Sequence, residues 1–207
     1  MMDLLERFHR FRQTDGWIFS TMLFSACISL AAAFVLSIDA IELARNPYAN
    51  LSCNINQVIS CGTVGNSPQA HLFGFPNAFL GLVAEPVVIT IAVASLCKVK
   101  FPRGFMLAAQ IVYTLGLIFA YWMFAQAMWV IGALCPWCLL VTLSTTLVFA
   151  TLTHLNIRDN NLFLPAKVQS ALESGLRMGL DLLVVVLWLA VVVGLVFGKY
   201  GMALFGA

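Results

Sequence analysis

Residues 104–157 read GFMLAAQIVYTLGLIFAYWMFAQAMWVIGALCPWCLLVTLSTTLVFATLTHLNI, a run of 54 positions between Arg103 and Arg158 without one Asp, Glu, Lys or Arg. As a single helix rising 1.5 Å per residue it would extend about 80 Å, against a bilayer hydrocarbon core about 30 Å thick. It therefore folds back on itself as two spans. Gly132 and Pro136 mark the turn, which sets the tetrapeptide CPWC, Cys135 to Cys138, at the mouth of the second of them.

Working outward from this run, residues 17–38, about 77–97 and about 179–198 each supply some 20 mostly apolar positions, enough for one crossing apiece. The fold class predicted is all-α integral membrane with five spans. The whole chain agrees: 61% hydrophobic and 10% charged residues with a mean hydropathy of +0.94 lie outside the balance of a soluble domain. A net charge of +2 over 207 residues gives no electrostatic footprint for nucleic acid. The first apolar stretch exceeds the 7–15 residues of a signal h-region, so it reads as a retained anchor although its SLAAA segment resembles a cleavage site.

Lys and Arg set the orientation. Arg7, Arg10 and Arg12, then Lys98, Lys100 and Arg103, then Arg158, Lys167 and Arg177 fall on one side, leaving Arg45 and Lys199 on the other. By the positive-inside rule the first side is cytoplasmic. The expected organisation is an inner N-terminal segment (1–16), a four-helix bundle (17–154) with an outer loop (39–76), an inner connection (155–178), and a fifth helix with a short external tail (179–207).

Four of the six cysteines then collect on the outward, oxidising face: Cys53 and Cys61 in the loop, Cys135 and Cys138 in CPWC. Disulfides persist on that side, and neighbouring pairs can exchange by thiolate attack. The i, i+3 spacing puts Cys135 and Cys138 on one helix face, and Pro136 in the first turn leaves Cys135 at a helix N-terminus, where exposed N–H groups favour a thiolate. Cys27 and Cys97 read as small apolar packing residues. Zinc fits poorly, because the 53/61 spacing is wide for a ligand pair and His71 is the only outward histidine. Two static disulfides stapling outer loops remain an open alternative.

With no haem motif and no glycine-rich dinucleotide fingerprint, a lipid-soluble acceptor suits an outward dithiol best. A quinone entering from the membrane would meet Cys138 and needs a hydrogen-bond donor near its carbonyl. Asn77, at the outer start of the second span, is placed to donate, and equally to cap that helix. Trp137 is a candidate to pack on the ring. Glu85 lies in the second span, where a carboxyl is expensive: it is either a proton relay or a locally paired group, about 80° around the helix from Asn77. Tyr121, Trp122 and Trp129 read as interfacial belt residues, and residues 70–75 (AHLFGF) as a segment lying on the membrane over the site, with His71 available to a thiol.

Taken together, a loop cysteine pair eight apart, then FGFPNAFLG (73–81), then CPWC opening a later span resembles the vitamin K epoxide reductase family, in its bacterial disulfide-forming branch, over roughly residues 17–154. The resemblance implies a four-helix bundle around a quinone, menaquinone or ubiquinone. It implies that Cys53 and Cys61 form the loop pair and Cys135 and Cys138 the active-site pair, with Cys138 facing the quinone and Asn77 bonding its oxygen. Cys61 would exchange with Cys135, and Cys53 would meet the partner. Many bacterial relatives continue into a thioredoxin-like domain; here the sequence ends at Ala207, so a separate DsbA-like thioredoxin-fold protein is the implied electron donor. Thr142 stands where the vertebrate enzymes carry a tyrosine, which weakens any transfer of epoxide reduction. The expected activity is quinone-dependent oxidation of that partner, supporting disulfide formation in exported proteins at the bacterial cytoplasmic membrane. The alternatives are a non-enzymatic membrane assembly protein held by static disulfides, and an outward carrier of reductant that would need Cys27 and Cys97 as an inner pair.

Overall fold

The computed structural model describes residues 11–201 and residue 203, so Arg7, Arg10 and most of the expected external tail lie outside the described residues. Five helices among the described residues are long and apolar enough to cross a bilayer: α1 (Asp15–Arg45), α3 (Ala78–Leu96), α4 (Arg103–Gln126, extended by a π turn over Ala127–Ile131), α5 (Pro136–Arg158) and α7 (Leu180–Tyr200). Two shorter helices, α2 (Cys61–Gly65) and α6 (Ala166–Met178), and a 3-10 turn at Pro68–His71 complete the set.

Local chemistry sets the ends. Thr14 caps α1 through its side chain, with Asp15 in the first turn and Arg45 in the last, each charge matched to the helix dipole. The π turn stops at Gly132, whose φ of +75° is cheap only without a Cβ, and Pro136 opens α5 where its missing N–H is no loss. The turn between the third and fourth spans thus falls where Gly132 and Pro136 put it.

Helix α1 is the hub. It packs on α3 and on α5, and α5 packs on α4. Small residues permit the approach: a Cβ at Gly81 of α3 would meet the Cβ of Ala33 on α1 at 2.7 Å. At the end of the bundle remote from CPWC, Met22 and Ala26, Ile91 and Ala92, Met106, and Val148 and Leu152 fill the core from all four helices. Consecutive helices α3 and α4, by contrast, scarcely touch, so the bundle is closed on three sides and parted on the fourth.

Helix α7 stands against the outside of α5, with most of its side chains facing away from the protein. It is pinned at both ends. Asp181 pairs with the Arg12 guanidinium at 2.7 Å and with His154 at 2.8 Å, while Tyr200 Oη donates to the Met128 carbonyl at 3.1 Å and Lys199 donates to the same oxygen.

At the level of the fold, the structure differs from expectation in three places. The first helix runs on to Arg45 instead of ending near residue 38, so Asp39 is helical. The 155–178 connection contains the amphipathic helix α6, bounded by Pro165 and Gly179. Cys27 and Cys97 do not pack inside the protein; both are exposed on its surface, because a lipid-facing position is apolar too and needs no burial in protein.

Candidate active site

Beyond α1 the chain returns through a loop tied by its own amide side chains. Asn56 Oδ1 accepts from the N–H groups of Val58 and Ile59 at 2.9 and 2.7 Å, and Asn54 Oδ1 accepts from Gly62 N at 2.9 Å and Ser60 Oγ at 3.2 Å. The loop is then stitched to the residues before CPWC by a short parallel bridge: Leu134 N donates to Val58 O at 2.7 Å and Ser60 N to Leu134 O at 3.0 Å. Each strand of the bridge leads directly into a cysteine. Cys61 opens α2, Cys135 caps α5, and their sulfurs lie 3.2 Å apart.

Cys53 and Cys61 are joined in a disulfide, whereas Cys135 and Cys138 are free thiols. Cys138 donates its backbone N–H to Cys135 Sγ at 3.4 Å. The Cys138 thiol, together with the backbone N–H groups of Cys138 and Trp137, holds the Cys135 thiol below its ordinary value, against the opposing pull of burial and of the Asp39 charge. Asp39 itself reaches over from α1, with Oδ2 3.7 Å from Cys53 Sγ. Asp39, Cys53 and Cys61 are clustered closely enough for metal ligation, but two sulfurs bonded to each other are not the thiolates that zinc requires.

Beneath the sulfurs is a cavity of about 410 Å3, within the range of roughly 300–1,000 Å3 typical of small-molecule sites. It lies between α1, α3, α4 and α5 on the side where α3 and α4 stand apart, and its walls are mostly apolar. Cys61, Cys135 and Cys138 line its upper part together with Asp39, Asn77 and His71. Phe73 lines it too, and meets Phe119 of α4 in a tilted contact with ring centroids 5.5 Å apart, so part of the 70–75 segment closes over the gap between the helices.

Asn77 borders the cavity but does not cap α3 with its side chain. Its Nδ2 donates to Gln69 O at 2.7 Å and reaches Met123 Sδ at 3.6 Å, while its buried Oδ1 has no hydrogen-bond partner among the described residues. The unpaired group of this amide is therefore an acceptor, whereas the sequence offered Asn77 as a donor. Trp137 is not in the cavity wall. One residue before Cys138 on a helix means a rotation of about 100°, and the indole packs instead on the cluster of Leu43, Leu51, Cys53, Cys61 and Cys135.

Glu85 shares the cavity with Asn77, despite their angular offset, because the space runs down α3 between the two. Its carboxylate is locally paired: Ser29 Oγ of α1 donates at 2.8 Å, and Tyr113 Oη of α4 at 3.2 and 3.4 Å to the two oxygens. Thr142 and Thr145, one and two turns beyond Cys138, continue the polar trace along α5. Sequence reasoning missed Asp39, Ser29 and Tyr113. Asp39 carried a signal, an acid just past the expected end of an apolar span, whereas Ser29 and Tyr113 are ordinary residues that only packing brings to Glu85.

A helical multi-pass membrane protein that sets a disulfide against a free C-x-x-C dithiol over an apolar cavity has the parts of a membrane thiol oxidoreductase. The sequence model of the Vitamin K epoxide reductase family matches residues 20–153, well over half of the chain, and the protein belongs to that family. A comparison with curated protein sequences yields no match. The family is one of thiol-disulfide oxidoreductases, in general linked to a quinone and to a thioredoxin-like redox partner.

Proposed function

We propose that the protein reoxidises an extracytoplasmic DsbA-like thioredoxin-fold partner and passes the electron pair through Cys53/Cys61 and Cys135/Cys138 to a membrane quinone, menaquinone or ubiquinone. Its place is the bacterial cytoplasmic membrane, with the cysteines on the outer face, and the result is disulfide formation in exported proteins. The observation that supports this most is the 3.2 Å contact between Cys61 and Cys135, two members of different pairs, at the roof of the cavity. The orientation is supported by Lys98, Lys100, Arg103, Arg158 and Arg177, all in connections or helix ends remote from Cys53, Cys61, Cys135 and Cys138.

The steps balance as thiol-disulfide exchange. A partner thiolate attacks Cys53 and Cys61 leaves; the partner's second thiol then displaces Cys53, giving a loop dithiol and an oxidised partner. Cys53 is 6% exposed, so the loop opens for this encounter. The Cys61 thiolate next attacks Cys135 of a Cys135–Cys138 disulfide and Cys138 leaves. Cys53 attacks Cys61, Cys135 leaves, and the loop disulfide is restored beside an active-site dithiol, which is the oxidation state of the four cysteines in the structure.

A quinone fits the residues present: an apolar cavity, a dithiol at its upper edge and one buried polar atom, Asn77 Oδ1, without a partner among the described residues. When bound, it supplies an acceptor for two electrons and two protons. Asn77 and Cys138 would hold its head, Asn77 accepting from the hydroxyl of the reduced form. A protein merely stapled by static disulfides has no use for a free dithiol set against the staple. The test is quinone reduction by purified protein given a reduced DsbA-like partner, with Cys138→Ala compared at matched folded yield. Turnover lost in the variant is expected; wild-type protein inert toward both menaquinone and ubiquinone would refute the reading.

A further inference from the structure

The exchange between the two pairs moves two protons as well as two electrons, and the sulfurs sit where water has little access: Cys53, Cys61 and Cys135 are 6%, 3% and 2% exposed. A thiol must shed its proton to attack, and the sulfur that leaves must collect one. Asp39 is the carboxylate at this point. Its Oδ2 is 3.7 Å from Cys53 Sγ, and ligand atoms of Asp39, Cys53 and Cys61 all lie within 4.8 Å of one another. It borders the same cavity as Cys135 and Cys138, and among the described residues it forms no ion pair.

We propose that Asp39 is a catalytic residue of the relay, the carrier that takes the Cys53 proton and returns it to Cys135; the inference rests on the two-pair relay proposed above. In the closing step the Cys53–Cys61 bond forms and the Cys61–Cys135 bond breaks. The Cys53 proton passes to the Asp39 carboxylate as its sulfur attacks, and from there to the departing Cys135 sulfur, so the carboxylate is regenerated. The same negative charge disfavours idle thiolates beside it, which is why a base that acts only during transfer is useful here.

Other titratable groups that face Asp39 are few. Cys53 and Cys61 come from the loop and α2, Cys135 and Cys138 from the start of α5, and His71 from the 3-10 turn; Glu85 and Tyr113 lie deeper in the cavity on α3 and α4. On α1 itself, Glu42 is one turn onward and Arg45 ends the helix, both exposed.

The test needs no quinone. Fully oxidised, full-length protein in detergent is loaded at about pH 4 with one equivalent of a phosphine reductant, which acts where thiolates are scarce and exchange between the pairs is slow. It is then jumped to the assay pH, acid-quenched at millisecond intervals, alkylated and mapped by mass spectrometry to follow label from Cys53/Cys61 to Cys135/Cys138. Wild type is expected to transfer at a rate nearly flat from pH 6 to 8. Asp39→Asn, close in shape, is expected to be slower by about a hundredfold, within the usual range for a general base, and to gain about tenfold per pH unit toward the ordinary thiol pKa of about 8.5. Asp39→Glu should restore much of the rate. Equal rates and pH profiles for wild type and Asp39→Asn would overturn the assignment while leaving the relay intact. If the Asn variant fails to fold, a wild-type rate that itself climbs about tenfold per unit over this range would overturn it. No transfer at all in wild type would sink the relay, and this proposal with it.

Discussion

Replacing Glu85 with Ala removes the acceptor for two hydroxyls that have no access to water. Ser29 is 0% exposed and Tyr113 7%, and their bonds to Glu85 are 2.8 Å and 3.2 Å long. In a water-soluble core, stranding two buried hydroxyls would cost about 1–3 kcal/mol each. Between membrane helices the figure is smaller, about 0.6 kcal/mol on average and 1.7 at most, because the unfolded chain in a micelle also finds partners. The expected loss is therefore about 1–3 kcal/mol in all, read from equilibrium unfolding in mixed detergent micelles. Glu85→Gln keeps an acceptor oxygen and nearly the same volume, and should lose less than half of that. Ser29→Ala and Tyr113→Phe should each cost part of it in the wild-type background and almost nothing beside Glu85→Ala, since the partner is already gone. Because Glu85 to Tyr113 is a polar tie between α3 and α4, which otherwise scarcely meet, Glu85→Ala should also raise the KM for quinone while leaving exchange between the cysteine pairs unchanged. An Ala variant as stable as wild type, or a Gln variant as weak as Ala, would refute this reasoning.

Gly81→Val places a Cβ 2.7 Å from that of Ala33, so α1 and α3 must separate; a loss of about 1–3 kcal/mol is expected in the same unfolding assay. Asn77→Ala should lower kcat for quinone reduction about 5- to 30-fold with little change in the KM for quinone, the worth of one hydrogen bond of about 1–2 kcal/mol made only to the reduced form, and leave the labelling of Cys135 and Cys138 untouched. Asp181→Ala leaves the Arg12 guanidinium, 7% exposed, without its counter-charge. That should cost about 3 kcal/mol, and limited proteolysis should then cut the 155–178 connection sooner.

Five crossings, the turn at Gly132 and Pro136, and four cysteines gathered at one end could be read from the sequence, because length, charge and turn chemistry act locally. Helix α6 was legible too: Val168, Leu172 and Leu176 repeat every four residues between Pro165 and Gly179, a pattern easily passed over in a charged connection. Which face of a span is buried was not legible. In lipid both faces are apolar, so Cys27 and Ala26 look alike in sequence although one is exposed and the other fully enclosed. The position of Trp137 turned on a single step of helical register. The amide of Asn77 points as it does because Gln69 O, a loop carbonyl eight residues back, claims its donors. The parting of α3 from α4 left no mark in either helix alone.

The short bridge of Ile59 to Leu134 has a consequence for leakage. Two backbone hydrogen bonds hold Cys61 Sγ 3.2 Å from Cys135 Sγ. Groups so oriented meet at effective molarities that reach roughly 10⁵–10⁸ M in favourable cases. A dissolved thiol at millimolar concentration competes against that by many orders of magnitude. In the relay proposed above the neighbouring sulfur then wins by proximity alone, which would keep the passage of electrons between the pairs private to the protein even in a medium full of other thiols.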